Sequence, residues 1–396
     1  MTKPIFVFSD QLLSYKFSNH HPFNPLRFQM TFELLKDAGI LSEDQIVQPR
    51  KATDEEILLV HSEDYMNAIK KAGQGQLPKS LRSSFGLDTD DTPVFKDMHE
   101  ASAWLVGATL TATEQVFEGK TNKALSLGGG LHHGFRGRAS GFCIYNDSSI
   151  AIEYMKQKYH ARIMYIDTDA HHGDGVQWAF YDDPDVCTFS IHETGRYLFP
   201  GTGNVSEKGA GKGYGYAFNL PVDAFTEDDS WIPILEEAID EIVKFFKPDI
   251  IISQNGVDAH YWDPLTHLSL TMKSYRKIPE LVNRAADRYT EGRWIAVGGG
   301  GYDIWRVVPR AWSLIWAEMN GIELQGSLPE AWLKKWQEKA PVDLPTFWDD
   351  EADLYPSIPR KQEICDKNQV MLQRALQHIR NEKSQCNQNL TVNFRK

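Results

Sequence analysis

The sequence predicts an α/β protein built on a parallel sheet with helices on both faces. Three observations carry that reading. Short runs rich in Ile and Val recur along the 396 residues, and they are apolar nearly throughout, as strands buried on both faces are. Longer amphipathic stretches separate them, and strand–helix–strand alternation of this kind implies a parallel sheet. Polar clusters stand directly after several of the runs, where an open parallel sheet collects its ligands.

In chain order, Ile5–Phe8 is the first run, too short for a helix and apolar along its whole length. Leu26–Ala38, Ser62–Ala72 and Ala101–Glu118 follow as helices, and Ala124–Leu127 is the next strand. Helix Asn146–Tyr159 leads to strands Arg162–Ile166 and Val186–Ser190. Helix Trp231–Phe246, strand Ile250–Ser253, helix Met272–Glu291, strand Ile295–Val297 and helix Ile304–Met319 complete the alternation. Beyond residue 321 the character changes, through "LPEAWLKKW" and "DDEADLYPSIPR" to a polar tail. Residues 359–382 read as a terminal helix and the last dozen as loosely ordered. The segment "GTGNVSEKGAGKGYGYAFN" matches neither glycine-rich phosphate pattern and reads as a loop.

Composition narrows the function classes. With 41% hydrophobic and 24% charged residues the chain is ordinary globular material. Its net charge of −12, without a Lys/Arg cluster, argues against nucleic-acid or anionic-membrane binding and is compatible with a basic or lysine-bearing partner. Cys143, Cys187, Cys365 and Cys386 are scattered and form no CxxC pair, so neither a disulfide framework nor a thiolate zinc knuckle is expected. "MTKPIFVFSDQLL" has no secretory h-region, and no run of about 18 apolar residues occurs, so no membrane span and a cytoplasmic address are expected.

Four clusters fall at strand ends: "LGGGLHHGF", "DTDAHHGDG", "QNGVDAH" and "GGGGYD". Asp169 and His171, at i and i+2, point to one side of a strand leaving the sheet. A carboxylate and an imidazole together suit Zn²⁺, and Fe²⁺ or Co²⁺ as well. Asp167 shares their parity. His132 and His133 follow three glycines and are candidates for a base and its partner, with Asp167 and Asp174 the acids that could set their tautomers. A catalytic zinc needs a third protein ligand, and spacing leaves Asp258, His260 and Asp263 open. Tyr302, after four glycines, is a candidate oxyanion donor. Taken singly, each of these is also compatible with a structural histidine or a core tyrosine.

Together, "GGGLHH", "DTDAHHGDGV", "FPGTG", "QNGVDAH" and "GGGGY" occur in the order seen in the histone deacetylase superfamily. From about Pro4 to Asn320 the chain resembles a class I-type zinc-dependent lysine deacetylase, and more narrowly the bacterial acetoin-utilisation (AcuC-type) deacetylases. The resemblance implies the arginase–deacetylase fold: a single doubly wound, mostly parallel eight-stranded sheet with helices on both faces. It divides the chain into a catalytic domain, 1–320, and a C-terminal extension, 321–396, partly helical and either packed on the domain or loosely ordered.

Position by position, the resemblance implies that Asp169, His171 and Asp258 ligate zinc. His133 would be the general base and acid, His132 its electrostatic partner, Asp167 and Asp174 their orienting acids, and Tyr302 the transition-state hydroxyl. Gly141, Phe142, Phe199, Leu265 and Gly300 would line an acetyl-lysine tunnel. Asp91 would hold the substrate backbone at its rim, and Arg27 would line an acetate exit. Potassium is implied at an inner site (Asp167, Asp169, His171, Ser190, Ile191) and an outer one (Phe180, Asp183, Val186, Tyr216). Related ureohydrolases carry extra acids for a second metal where this chain has Gly173 and Gly256, which implies one metal here. The implied reaction is hydrolysis of N-ε-acetyl-lysine to lysine and acetate, on a protein or peptide such as an acetylated acyl-CoA synthetase. An acetylpolyamine hydrolase and a non-catalytic acetyl-lysine binder are the alternatives.

Overall fold

Eight strands form one sheet, all neighbours parallel, in the order β2-β1-β3-β8-β7-β4-β5-β6. They are β1 Ile5–Val7, β2 Ile46–Val47, β3 Lys123–Ser126, β4 Ile163–Asp167, β5 Val186–Glu193, β6 Ala217–Val222, β7 Ile250–Gln254 and β8 Trp294–Val297. A computed structural model describes residues 2–393 of the chain, with side chains through residue 381.

Two strands were not legible in the sequence. β2 is only two residues long, half-buried at one edge. β6 reads "AFNLPV", and its Asn219 and Pro221 interrupt the apolar run. Proline removes a ladder donor and is tolerated on an edge strand, which β6 is. β5 also runs past the expected Ser190 to Glu193, because His192 and Glu193 are polar yet buried.

The expected helices form, with ends shifted by a few residues: Leu26–Asp37, Glu63–Gly73, Met98–Phe117, Asp147–Tyr159, Asp228–Phe246, Met272–Tyr289 and Val308–Met319. The central strands are buried along their whole length, so helices cover both faces. Beyond residue 321, helix Glu330–Gln337 packs on Leu26–Asp37, and Trp332 Nε1 donates to Met30 O at 2.9 Å. The terminal helix runs Lys361–Asn393, longer than expected, and packs against β6 and Asp228–Phe246. The expectation of loose order falls largely on side chains, and on residues 394–396, outside those described. No described helix is long and apolar enough to cross a membrane.

For the site, the decisive fact is which strands are neighbours. β3, β8, β7 and β4 lie side by side and parallel, so their carboxyl ends share one rim. Register aligns their last residues in one row: Ser126 opposite Val297, Val297 opposite Gln254, Gln254 opposite Asp167, and Asp167 opposite Ser190. The four polar clusters therefore leave the sheet at the same level.

Candidate active site

Asp169, His171 and Asp258 converge: one ligand atom from each lies within 4.8 Å of the others, and all three residues are buried. His171 Nδ1 sits 2.8 Å from Asp258 Oδ2 and 3.2 Å from Asp169 Oδ1. Asp169 is further held by Gln254 Nε2 and by the Gly300 amide, both donating to Oδ2 at 2.7 Å. The Ala170 amide donates to Asp258 Oδ1 at 2.8 Å. His260 and Asp263, the other third-ligand candidates, are engaged elsewhere: His260 Nε2 pairs with Asp350 at 2.9 Å, and Asp263 accepts the amides of Tyr302 and Leu265 at 2.8 and 3.0 Å. His172, beside His171, pairs with Thr202 at 2.8 Å.

These three residues could hold a metal ion. Burial, followed by repulsion from Asp169, lifts the Asp258 carboxyl to about 6, and a divalent cation held by both would relieve that repulsion. Two carboxylates and one imidazole are a donor set that fits such an ion. A Cβ built at Gly256 would fall 2.1 Å from Asp169 Oδ2, and one at Gly173 2.2 Å from Asp167 Oδ2. Acidic side chains at these two positions would collide with the acids already there.

His132 and His133 stand next to the metal group. His132 Nδ1 pairs with Asp167 Oδ2 at 2.8 Å, and His133 Nδ1 with Asp174 Oδ1 at 2.7 Å. Burial opposes charge on both rings. At His132 the carboxylates of Asp167 and Asp169 outweigh it and raise the imidazole to about 9. At His133 burial and the neighbouring His132 lower it to about 4, which keeps the ring neutral at pH 7. Tyr165 Oη also donates to Asp167 Oδ2 at 3.0 Å. Burial, followed by the charges of Asp258 and Asp169, holds the Tyr302 phenol well above its ordinary value, so it keeps its proton.

A cavity of about 380 Å³ opens above these groups, lined by His133, Gly141, Phe142, His171, Phe199, Leu265, Tyr302 and, at its mouth, Asp90 and Asp91. The Phe199 ring meets His133 edge-on at 5.0 Å, and the Phe142 ring meets Tyr302 at 5.6 Å. Gly300 sits at the metal group rather than among these lining residues. Arg27 does not line this cavity. Its guanidinium is buried against Phe23 and Trp312, and Nη1 donates to Gly301 O at 3.0 Å, just before Tyr302.

Of the inner potassium set, Asp167 and Ser190 are cross-strand partners and Ile191 follows directly; Ser190 Oγ also pairs with His192 Nδ1 at 2.8 Å. Two members of the outer set, Asp183 and Tyr216, already have partners within the chain. Asp183 is already paired with the Lys156 ammonium, and the Tyr216 carbonyl accepts from the Thr188 amide at 2.9 Å.

Several supporting residues carried no signal in the sequence. Asp147 accepts the amides of Gly130 and Leu131 at 3.0 and 2.8 Å and so shapes the loop bearing His132. Asn146 caps helix Asp147–Tyr159 and donates to the carbonyls of His132 and Gly134 at 3.3 and 3.0 Å. Its own amide donates to His61 Nε2 at 3.0 Å, while His61 Nδ1 pairs with Phe135 O at 3.0 Å.

Both His61 nitrogens are thus committed in the neutral ring, and burial lowers its pKa to about 4. The folded value lies below the ordinary 6.5, so the stability this ring contributes is intact above pH 6.5 and is lost as pH falls towards 4. A drop from 6.5 to about 4 corresponds to roughly 3 kcal/mol. His61→Gln can keep both hydrogen bonds without titrating. Unfolding free energies measured from pH 7.5 to 4.5 should fall less steeply in His61→Gln than in the wild type; parallel curves would refute this.

A parallel α/β sheet whose central strand ends deliver a buried Asp–His–Asp group and two acid-held imidazoles to one apolar cleft is the framework of a metal-dependent hydrolase. The family model described as the histone deacetylase domain matches residues 21–319, and the chain belongs to that family of deacetylases. It is 59% identical over 382 residues to the acetoin utilization protein AcuC of Bacillus subtilis strain 168, covering 96% of this chain and 99% of that protein. AcuC of Staphylococcus xylosus is 49% identical over 372 residues, covering 94% and 97%. The crystal structure of an HDAC homolog from Aquifex aeolicus matches with a TM-score of 0.81 at 29% identity, covering 92% of this chain and 99% of that one.

Proposed function

We propose that this chain is a cytoplasmic, zinc-dependent enzyme that hydrolyses N-ε-acetyl-lysine in proteins or peptides, with residues 1–320 as its catalytic unit. The observation that carries this reading is the Asp169–His171–Asp258 group beside the His133–Asp174 pair, under a cavity walled by Phe142 and Phe199. A slot between two aromatic rings suits a flat, apolar acetamide on a long methylene stem. Bound zinc supplies a Lewis acid that polarises an amide carbonyl and acidifies water. A single such ion is in keeping with glycines at 173 and 256. Potassium at the inner site, with Asp167, Asp169, Ser190 and carbonyls of His171 and Ile191, belongs to the same reading; the outer site is its weaker part.

The rest is work for the chain's own groups. His133, with its Nδ1 proton held by Asp174, has Nε2 free to take a proton from the attacking water. It then returns that proton to the leaving lysine amine, completing the cleavage to acetate and lysine. His132, kept cationic by Asp167, stabilises negative charge as it develops. Tyr302 donates its hydroxyl to the oxyanion. Asp91, at the exposed mouth, would receive a substrate backbone amide. Arg27 would serve the departing acetate.

The direct test is elemental analysis of the purified protein with turnover of an acetyl-lysine peptide, with and without a chelator. An acetylated acyl-CoA synthetase and acetylspermidine, assayed in parallel, separate the protein reading from the polyamine one. Tyr302→Phe should retain its metal while losing about 10²–10³ in kcat, the usual cost of one oxyanion donor. Full turnover in that variant would remove Tyr302 from the mechanism.

A further inference from the structure

Asp350 lies beyond the residues matched by the family model, yet its side chain is covered where it meets the His260 loop, the start of helix Met272–Tyr289 and helix Val308–Met319. Its Oδ2 accepts from His260 Nε2 at 2.9 Å and from the Met272 amide at 2.8 Å, and its Oδ1 from Arg310 Nη2 at 2.8 Å. All three partners are donors. The His260 ring is committed at its other nitrogen too, since Nδ1 accepts the Trp262 amide at 3.1 Å. That bond places the ring proton on Nε2, aimed at Asp350.

His260 is also a relay. Its carbonyl accepts the Asp263 amide at 2.8 Å, and Asp263 in turn receives the amides of Tyr302 and Leu265. Asp258 is two residues upstream in the same loop. On the other side, Arg310 Nε donates to Arg306 O at 2.7 Å, in the turn that links Tyr302 to helix Val308–Met319.

We propose that Asp350, from the C-terminal extension, is a positioning residue of the deacetylase site: its carboxylate locks His260 and thereby holds Asp258, Asp263 and Tyr302 in mutual register. The inference rests on reading Asp258 as a metal ligand. It requires a carboxylate, not merely a polar side chain. In Asp350→Asn the amide nitrogen must face either Arg310 or the two donors His260 and Met272. The His260 ring cannot compensate by moving its proton to Nδ1, which would oppose the Trp262 amide.

The test measures zinc affinity of metal-free protein by competition with a chromophoric chelator, together with kcat and KM on an acetyl-lysine peptide. Asp350→Asn is expected to weaken zinc binding and lower kcat by about 10–100-fold each, the usual cost of losing a group that orients a ligand, with KM within about twofold. His260→Ala, which leaves the Asp350–Arg310 ion pair intact, should move the same two quantities in the same direction, and it decides the matter if Asp350→Asn fails to fold. Tyr355→Phe removes a different tie of the extension, the hydroxyl bond to Ser269 O, and should change neither. Wild-type affinity and kcat in folded Asp350→Asn or His260→Ala, or equal losses in Tyr355→Phe, would overturn the proposal. A wild-type protein that neither binds zinc nor hydrolyses the peptide would instead bring down the site reading itself.

Discussion

Replacing Asp258 by alanine is expected to abolish stoichiometric divalent-metal binding and, with it, hydrolysis of an acetyl-lysine peptide. Asp258 supplies one of only two carboxylates in the group, and its Oδ2 lies 2.8 Å from the third donor, His171 Nδ1. Without it, one carboxylate and one imidazole remain, short of the three protein ligands that hold a catalytic ion. The Ala170 amide also loses its acceptor, a buried loss of about 1–3 kcal/mol, so a melting curve should accompany the assay. The same outcome should follow in the wild type on chelation, and added metal should restore it there but not in the variant. Elemental analysis and turnover of the two proteins side by side check this. One equivalent of tightly bound metal in Asp258→Ala would mean that the third ligand lies elsewhere.

His133→Ala is expected to bind metal normally and to lose about 10²–10⁴ in kcat, the range a positioned acid–base group supplies. The ring touches the cavity on one side and Asp174 on the other, and it forms no hydrogen bond to Asp169, His171 or Asp258, so the metal group does not depend on it. Asp174 keeps a partner in the Gly175 amide at 2.8 Å, so the helix start is not left bare. A variant that held its metal and still turned over at the wild-type rate would falsify the assignment of His133 as base. Loss of metal together with rate would make it structural instead.

The parts of the site that were legible in the sequence share a property: their chemistry is carried by neighbours in the chain. "DTDAHHGD" and "GGGLHH" place carboxylates and imidazoles within a few residues at strand ends; β4 itself stops at Asp167, so Asp169 and His171 are turned to one side by the bend that follows it and not by strand alternation. The same holds for β4, β7 and β8, whose unbroken apolar runs announced burial on both faces. β2 and β6 lie at the sheet edges, where less apolar sequence suffices and a proline is allowed, so pattern alone did not reveal them.

By itself, then, the chain's order of residues determined an α/β parallel sheet, the donors at its strand ends and, through their combination, the class of chemistry. What it left open was the choice among Asp258, His260 and Asp263. Folding brought Asp258 to Asp169 and His171, and gave His260 to Asp350 and Asp263 to the Tyr302 and Leu265 amides. The roles of Gln254, Asn146, Asp147 and His61 were likewise decided only in three dimensions. A hydrogen bond depends on distance and direction between atoms that are often far apart in sequence. Burial in the folded core then turns such a bond from optional into obligatory.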